Sequence, residues 1–427
     1  MSIILVGYLA SVLAWCFSGI RSGKFLRNVG VFGFSLLSLS LVQGEGGALS
    51  VLGDPVITTV SIAVLAIVAV LARVFEDRSM RRPPTLIVLL SLFFLWCVLS
   101  GVTNVRDTEQ WRVFAVYSVI FLLPILYPFT HKSVPLHGLM LGSFVQILAV
   151  LVGNERISTI SGIGQLSGGV QPNILALQAV SVSLFGAWIA GRSRASAAQV
   201  FIGLIASFVG LLAVVGTVSR SGLVALVFAV IIMSMLVVPL RWFILLVLPS
   251  LTLILALLGG ILPSAWASDW FIRGDATSLS SLTGRTDIWS FSLSMVSAKP
   301  FMGWGFGALY AENYSGGFFL KAVEGTNAHN AWLQLAVEVG IVGAVMFLLI
   351  FVIVFMCAWR NRRTADGVIV LGMLAALFSN SLASAGFSTL GYAAILFASL
   401  ISIEAWALKP KRRRRNVHII SHAKLGT

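Results

Sequence analysis

The stretch 327-NAHNAWLQLAVEVGIVGAVMFLLIFVIVFMCAWRNRR-363 contains the organisation of the chain in miniature. From Asn330 to Ala358 its side chains are almost all apolar, and the run exceeds the roughly 20 residues of helix that cross a bilayer. His329 and Asn330 stand at one end and Arg360, Arg362 and Arg363 at the other, with one ionisable side chain, Glu338, inside the run. A histidine at one water interface and a basic cluster at the other give a spanning helix with a chemical end and an anchored end.

Runs of the same kind recur on both sides of this one, at approximately 3–19, 28–42, 56–75, 85–103, 112–130, 136–153, 172–190, 198–218, 222–240, 242–262, 366–384 and 388–408. Hydrophobic residues make up 58% of the 427-residue chain, charged residues only 10%, and the mean hydropathy is +0.98, which excludes a soluble globule. The expected fold is an all-α polytopic membrane protein of about 12 to 13 transmembrane helices with one large outer-face loop. It divides into helices within 1–262, a loop at 263–329, helices within 330–408 and a basic tail at 409–427.

Basic residues set the orientation, because Lys and Arg are retained in cytoplasmic loops. Arg21/Lys24/Arg27, Arg73/Arg78/Arg81/Arg82, Lys132, Arg192/Arg194, Arg241, Arg360/Arg362/Arg363 and the tail from Lys409 fall in every second loop. The net charge of +14 is therefore largely a topology signal and calls for no nucleic acid; a tail such as 411-KRRRR-415 could bind RNA or an adaptor, but directly after a span it is expected to anchor the helix end and meet anionic lipid. The run 3–19 has no basic residue before it and does not resemble a cleaved signal peptide. Cys16, Cys97 and Cys357 fall within spans as packing residues, with neither a disulfide framework nor a zinc site implied.

The loop 263–329, on the outer face, is far longer than the others, and loops of that size are usually functional. Trp266, Trp270, Trp289, Trp304, Phe301, Phe306, Tyr310 and Tyr314 give it an aromatic surface suited to the headgroup layer. A short helix is expected from Thr286 to about Ala298, ended by Lys299-Pro300. The glycines of 303-GWGFG-307 demand a permissive backbone and a tight turn.

The candidate site residues gather on this face. Arg220, in Ser219-Arg220-Ser221-Gly222 between two spans, either snorkels to the interface or meets an anionic ligand. Arg285, in 283-TGRTD-287, either pairs locally with Asp287, an interaction of little worth at a surface, or joins Arg220. His329 caps or packs at a helix start, or handles a proton. Glu338, inside an apolar run, is by default functional or partnered, and with Asp287 and Asn330 is a possible support for the site. There is no P-loop, no HExxH, no Cys/His cluster and no Asp-x-Asp pair on the outer face, so neither a metal nor a cofactor is expected. Two guanidinium forks suit the oxygens of a lipid-linked diphosphate, an activated substrate that brings its own energy.

Taken together, Ser219-Arg220-Ser221-Gly222, 284-GRTDIW-289, 300-PFMGWGFG-307 and His329-Asn330 followed by 340-GIVG-343 resemble the O-antigen ligase and Wzy-type O-antigen and exopolysaccharide polymerase superfamily. The resemblance covers roughly residues 200–350. It implies a glycosyltransferase-C-like fold and a metal-independent, inverting glycosyltransferase in the bacterial inner membrane, its active site facing the periplasm. The donor would be a glycan on undecaprenyl diphosphate and the acceptor lipid A-core, in a ligase, or a growing glycan, in a polymerase. Arg220 and Arg285 would hold the diphosphate, and His329 would orient or deprotonate the acceptor hydroxyl. Family members typically have twelve spans with both termini inside, where the runs above number thirteen. A transporter or flippase of lipid-linked glycans would also need cationic residues, but transporters place them near the midplane among interrupted helices. A non-catalytic scaffold would tolerate loss of His329.

Overall fold

The computed structural model describes residues 25–40, 84–104, 108–126, 133–153, 156–158, 164–166, 171–192, 195–237, 285–308, 328–384 and 392–404. Their elements in chain order are α1 (Phe25–Ser40), α2 (Pro84–Asn104), α3 (Thr108–Leu126), α4 (Val134–Gly153), β1 (Arg156–Ser158), β2 (Gly164–Leu166), α5 (Pro172–Ala190), α6 (Ala197–Gly216), α7 (Arg220–Val237), α8 (Arg285–Ala298), α9 (Ala331–Arg360), α10 (Ala365–Ser381) and α11 (Tyr392–Glu404). The chain is an all-α polytopic membrane protein. Among the described residues α4, α5, α6, α7, α9 and Thr85–Asn104 of α2 are each long and apolar enough to cross a bilayer, and α10 and Tyr392–Ile403 are shorter apolar helices. The predicted runs 3–19, 56–75 and 242–262 and the basic tail lie outside the described residues, as do Trp266, Trp270, Tyr310 and Tyr314.

The helix ends follow local chemistry. Ser196 accepts from the Gln199 N–H while the Gln199 side chain accepts from the Ser196 N–H, a reciprocal cap that starts α6. Thr364 caps α10 through the Gly367 N–H. α5 and α6 approach closely over Gly186, Gly203 and Gly210, where a Cβ would collide with the facing backbone. Small residues allow such approach between spans that gain no hydrophobic drive from lipid.

One element was not anticipated. Between α4 and α5, where a plain connection is expected, β1 and β2 form an antiparallel hairpin with Arg156 opposite Leu166 and Ile157 opposite Gln165. Strands of three residues are too short to show a period of two. Leu166 is buried against Gly216, so the hairpin sits on the corner between α6 and α7.

The described residues sort into two ends of the bundle. At the basic end Trp188 Nε1 donates to the Ala365 carbonyl at 3.0 Å, Arg192 lies 3.7 Å over the Trp188 ring, and Arg192 meets Asp366 at 3.7 Å. At the other end Ser219 bonds Asn173 at the start of α5, and Trp332 Nε1 donates to Ser381 Oγ at 2.8 Å. α5 and α10 each run between these ends, in opposite directions. The starts of α7 and α9 and the finish of α10 therefore share one face, and Arg192, Arg360 and Arg362 share the opposite one.

The core between the ends is aromatic. Phe93 of α2, Phe121 of α3, Phe347 and Phe351 of α9 and Phe397 of α11 pass ring contacts from helix to helix, with centroids 5.2–6.3 Å apart. Phe306 joins them from the 303-GWGFG-307 turn, 4.6 Å from the Tyr117 ring. For Phe306 this corrects the expectation of a headgroup-layer surface. Phe306 is buried, and Trp289 and Trp304 are half-buried with indole N–H groups bonded to carbonyls; Phe301 does remain exposed.

Candidate active site

The Arg220 corner is built around Ser219. Its Oγ accepts from the Gly222 N–H at 3.1 Å, as a helix-capping serine does, and donates to Asn173 Oδ1 at 2.8 Å. Val218 ahead of it takes a left-handed φ of 49°, which turns the chain sharply between α6 and α7. Arg220 is thereby the first residue of α7, half-buried, with Nε and Nη2 enclosed away from solvent. Asn173 was not singled out from sequence, since its partner lies 46 residues further on.

Arg285 and His329 are brought together from the two sides of the long loop. α8 begins at Arg285 and packs beside the start of α9, with Phe291, Met295, Val296 and Trp304 around buried Ala328 and Val337. Trp289, one turn after Arg285, donates from Nε1 to the Ala328 carbonyl at 2.9 Å. His329 takes a φ of 47°, a left-handed conformation that costs a non-glycine residue on the order of 1 kcal/mol and must be held by its surroundings. Burial, and then the Arg285 guanidinium nearby, push the His329 imidazole down from its usual 6.5 to about 4. At neutral pH the ring is therefore uncharged.

The supporting residues take distinct places. Asn330 is the cap of α9, its Oδ1 accepting from the Trp332 and Leu333 N–H groups at 3.1 and 3.0 Å, while its Nδ2 reaches the Leu382 carbonyl at 3.4 Å. Asp287 is exposed in the first turn of α8, where a negative charge complements the helix dipole. Glu338 is fully buried and its Oε1 accepts from Gln334 Nε2 at 2.7 Å; Gln334 Oε1 in turn accepts from the Ala328 N–H at 2.9 Å. Glu338 thus reaches the histidine turn through Gln334, a residue the sequence reading passed over.

α9 is interrupted just beyond Glu338. Gly340 has φ 73° and ψ 173°, so 331–339 and 341–360 are two helical pieces. Four backbone groups around the break find partners outside the helix. The Val337 and Glu338 carbonyls accept from the Trp304 and Gly305 N–H groups at 2.9 and 2.8 Å, the Val339 carbonyl accepts from Trp96 Nε1 at 2.9 Å, and the Ile341 N–H donates to the Pro300 carbonyl at 2.8 Å. A Cβ at Gly340 would run into the Phe301 carbonyl, and one at Gly303, itself at φ 68°, into the backbone of 338–340. The glycine phrases at 303 and 340 are therefore two sides of one backbone joint. Lys299 Nζ to Asn104 Oδ1 at 2.7 Å and Ser100 Oγ to the Met302 carbonyl at 2.5 Å fasten the same loop to α2.

Arg285 thus stands near enough to act electrostatically on His329, and Arg220 lies on the same face, at the end of the bundle where α10 finishes beside Asn330 and Trp332. What such a face offers is two guanidinium groups and a neutral imidazole next to a membrane.

Residues 205–348, which include all three, match the family model described as Wzy_C, O-antigen ligase. A stretch of 109 residues, 23% of this chain, is 25% identical to the exopolysaccharide production protein ExoQ of Rhizobium meliloti (strain 1021). The match spans about a quarter of that relative's length. With its spanning helices the chain is a multi-pass membrane protein, and its segment 205–348 is similar to the O-antigen ligase family.

Proposed function

We propose that this protein is a glycosyltransferase of cell-surface polysaccharide synthesis. It takes a glycan from undecaprenyl diphosphate and joins it to a sugar hydroxyl, of lipid A-core or of a growing O-antigen or exopolysaccharide chain, at the periplasmic face of the inner membrane. The observation that carries this reading is the pairing of neutral His329 with Arg285 on the face that also holds Arg220. Arg220 and Arg285 grip the diphosphate by charge-assisted hydrogen bonds worth about 1.5–3 kcal/mol each. As the anomeric C–O bond breaks, the electron pair leaves with the diphosphate, whose growing charge the two guanidinium groups stabilise without a metal ion. The acceptor hydroxyl oxygen attacks from the opposite side, giving inversion, and its proton passes to the ring of His329.

Burial and Arg285 depress the basicity of His329, so proton transfer comes late, when the attacking oxygen has already become acidic. The donor's diphosphate adds negative charge beside the ring and makes it a better base once the complex has formed.

A transporter of lipid-linked glycans is the second reading, and the interruption at Gly340 is the observation in its favour, because broken helices mark transporter sites. Against it, four backbone groups at the break are already bonded to residues 300–305 and Trp96 and are not offered to an ion or substrate.

The test is turnover by purified protein in nanodiscs, with an undecaprenyl-diphosphate-linked oligosaccharide, EDTA present and His329→Ala alongside. Released undecaprenyl diphosphate with a ladder of longer lipid-linked products identifies a polymerase; a single transfer that requires lipid A-core identifies a ligase. No turnover with either acceptor, in protein that still moves the lipid between leaflets, sinks the enzyme reading.

A further inference from the structure

We infer that Gln334, keyed by Glu338, is a positioning residue that clamps the backbone N–H of Ala328, the residue before His329, and so sets where the imidazole of His329 points. Ala328 is held by both of its polar groups: the N–H donates to Gln334 Oε1 at 2.9 Å, and the carbonyl accepts from Trp289 Nε1 at 2.9 Å. Ala328, Gln334 and Glu338 are fully buried, so water offers no substitute for a lost bond. Immediately after His329, the Asn330 side chain pins the chain to the first N–H groups of α9 and to the Leu382 carbonyl. His329, at φ 47°, is the strained link between these two fixed points.

The role of Glu338 follows from the chemistry of an amide. The Ala328 N–H can only donate, so Gln334 Oε1 faces it, and Glu338 Oε1 accepts from the Gln334 Nε2 donor at 2.7 Å on the other side. The opposite amide orientation would set NH₂ against the Ala328 N–H and take the donor away from Glu338 Oε1. Glu338 thereby supports the one orientation of Gln334 that grips the turn. Trp289 completes the clamp from α8, four residues after Arg285, so the bond to Ala328 also holds Arg285 beside His329.

The effect on rate rests on the general-base reading of His329; the effect on geometry does not. The experiment therefore has two arms on the full chain in nanodiscs. In the first, histidine ¹³C NMR follows the His329 titration in the parent, Gln334→Met, Glu338→Met, Glu338→Gln and Trp289→Phe. Releasing the turn lets the ring leave Arg285 and its buried setting, so Gln334→Met, Glu338→Met and Trp289→Phe are expected to raise the midpoint by about one pH unit or more. Glu338→Gln, which keeps an acceptor for Gln334 Nε2, stays nearer the parent than Glu338→Met. In the second arm, turnover of an undecaprenyl-diphosphate-linked oligosaccharide by Gln334→Met falls about tenfold or more in kcat with a much smaller change in KM, the mark of a misplaced catalytic group.

A folded Gln334→Met protein with an unshifted His329 titration overturns the clamp. Should Gln334→Met not fold, Trp289→Phe, which removes only the carbonyl bond, decides in the same way. A parent protein without turnover defeats the glycosyl-transfer reading and leaves the titration arm to judge the clamp.

Discussion

At the scale of single residues, the proposed glycan transfer depends on two guanidinium groups that a lysine cannot copy. Arg220→Ala and Arg285→Ala are each expected to abolish glycan transfer without unfolding the protein, and Arg220→Lys and Arg285→Lys to restore only a part, because an ammonium lacks the planar two-point fork. Steady-state rates with the lipid-linked donor check this, and a lysine variant of full activity would exclude a two-point grip on the diphosphate. A second expectation concerns acidity. With the His329 imidazole pushed down to about 4 in the free protein, its proton-accepting form persists at every pH above that value. The kcat/KM profile is therefore expected to stay level from pH 8 to about 5 and to fall only nearer 4, whereas an ordinary histidine would fall through 6.5. A bound diphosphate opposes the depression, so the limb in kcat should lie at higher pH than the limb in kcat/KM. Arg220, Arg285 and His329 stood out in the sequence because each is a charged or titratable group in a sparsely charged neighbourhood. Gln334 did not, since an amide in a helix acquires meaning only from partners that folding brings to it, and Trp289, noticed as an aromatic, showed no sign of its bond to the Ala328 carbonyl.

Among the elements, the interrupted helix shows most plainly what patterns can and cannot convey. The apolar run 330–358 announced α9 to within a few residues, but hydropathy is blind to a break when both pieces are apolar. Gly340 and the 303-GWGFG-307 glycines were legible as positions of special backbone; that they pack against one another was not, because the partners lie far apart in sequence on opposite sides of the loop. Gly340→Ala would carry both the left-handed penalty, about 1–2 kcal/mol, and a collision with the Phe301 carbonyl. It is expected to lower the midpoint of thermal unfolding in detergent by several degrees and to reduce activity through the displaced loop. A Gly340→Ala variant that melts with its parent would show that the joint is dispensable. The hairpin at Arg156–Leu166 escaped notice for a different reason, its strands being shorter than any recognisable alternation.

For the whole molecule, the segregation of basic residues was the firmest guide. Arg192 and Arg360–Arg362, predicted on one side, do lie at one end, away from Ser219, Asn330 and Ser381. That end is held by packing more than by charge. Arg192 and Asp366 are about half-exposed and 3.7 Å apart, so Asp366→Asn is expected to change stability by no more than about 0.5 kcal/mol. Trp188→Phe, which deletes the buried donor to the Ala365 carbonyl, is expected to cost about 1 kcal/mol or more. Melting curves of the two variants in the same detergent rank them, and the reverse order would assign the end to electrostatics.

The joint at Gly340 has a mechanical consequence. Residues 341–360, at about 1.5 Å per residue, already measure about 30 Å, the full depth of a bilayer's hydrocarbon. The piece 331–339 is left above it, bound to α8 and to residues 300–305 more than to the span below. When lipids of different chain length thin or thicken the membrane, a continuous helix would tilt and carry His329 with it. A tilt taken up at Gly340 would leave the histidine turn in place. Transfer rates in nanodiscs of lipids with fourteen-carbon and eighteen-carbon chains should accordingly agree within about twofold, and should diverge once the joint is stiffened by Gly340→Ala.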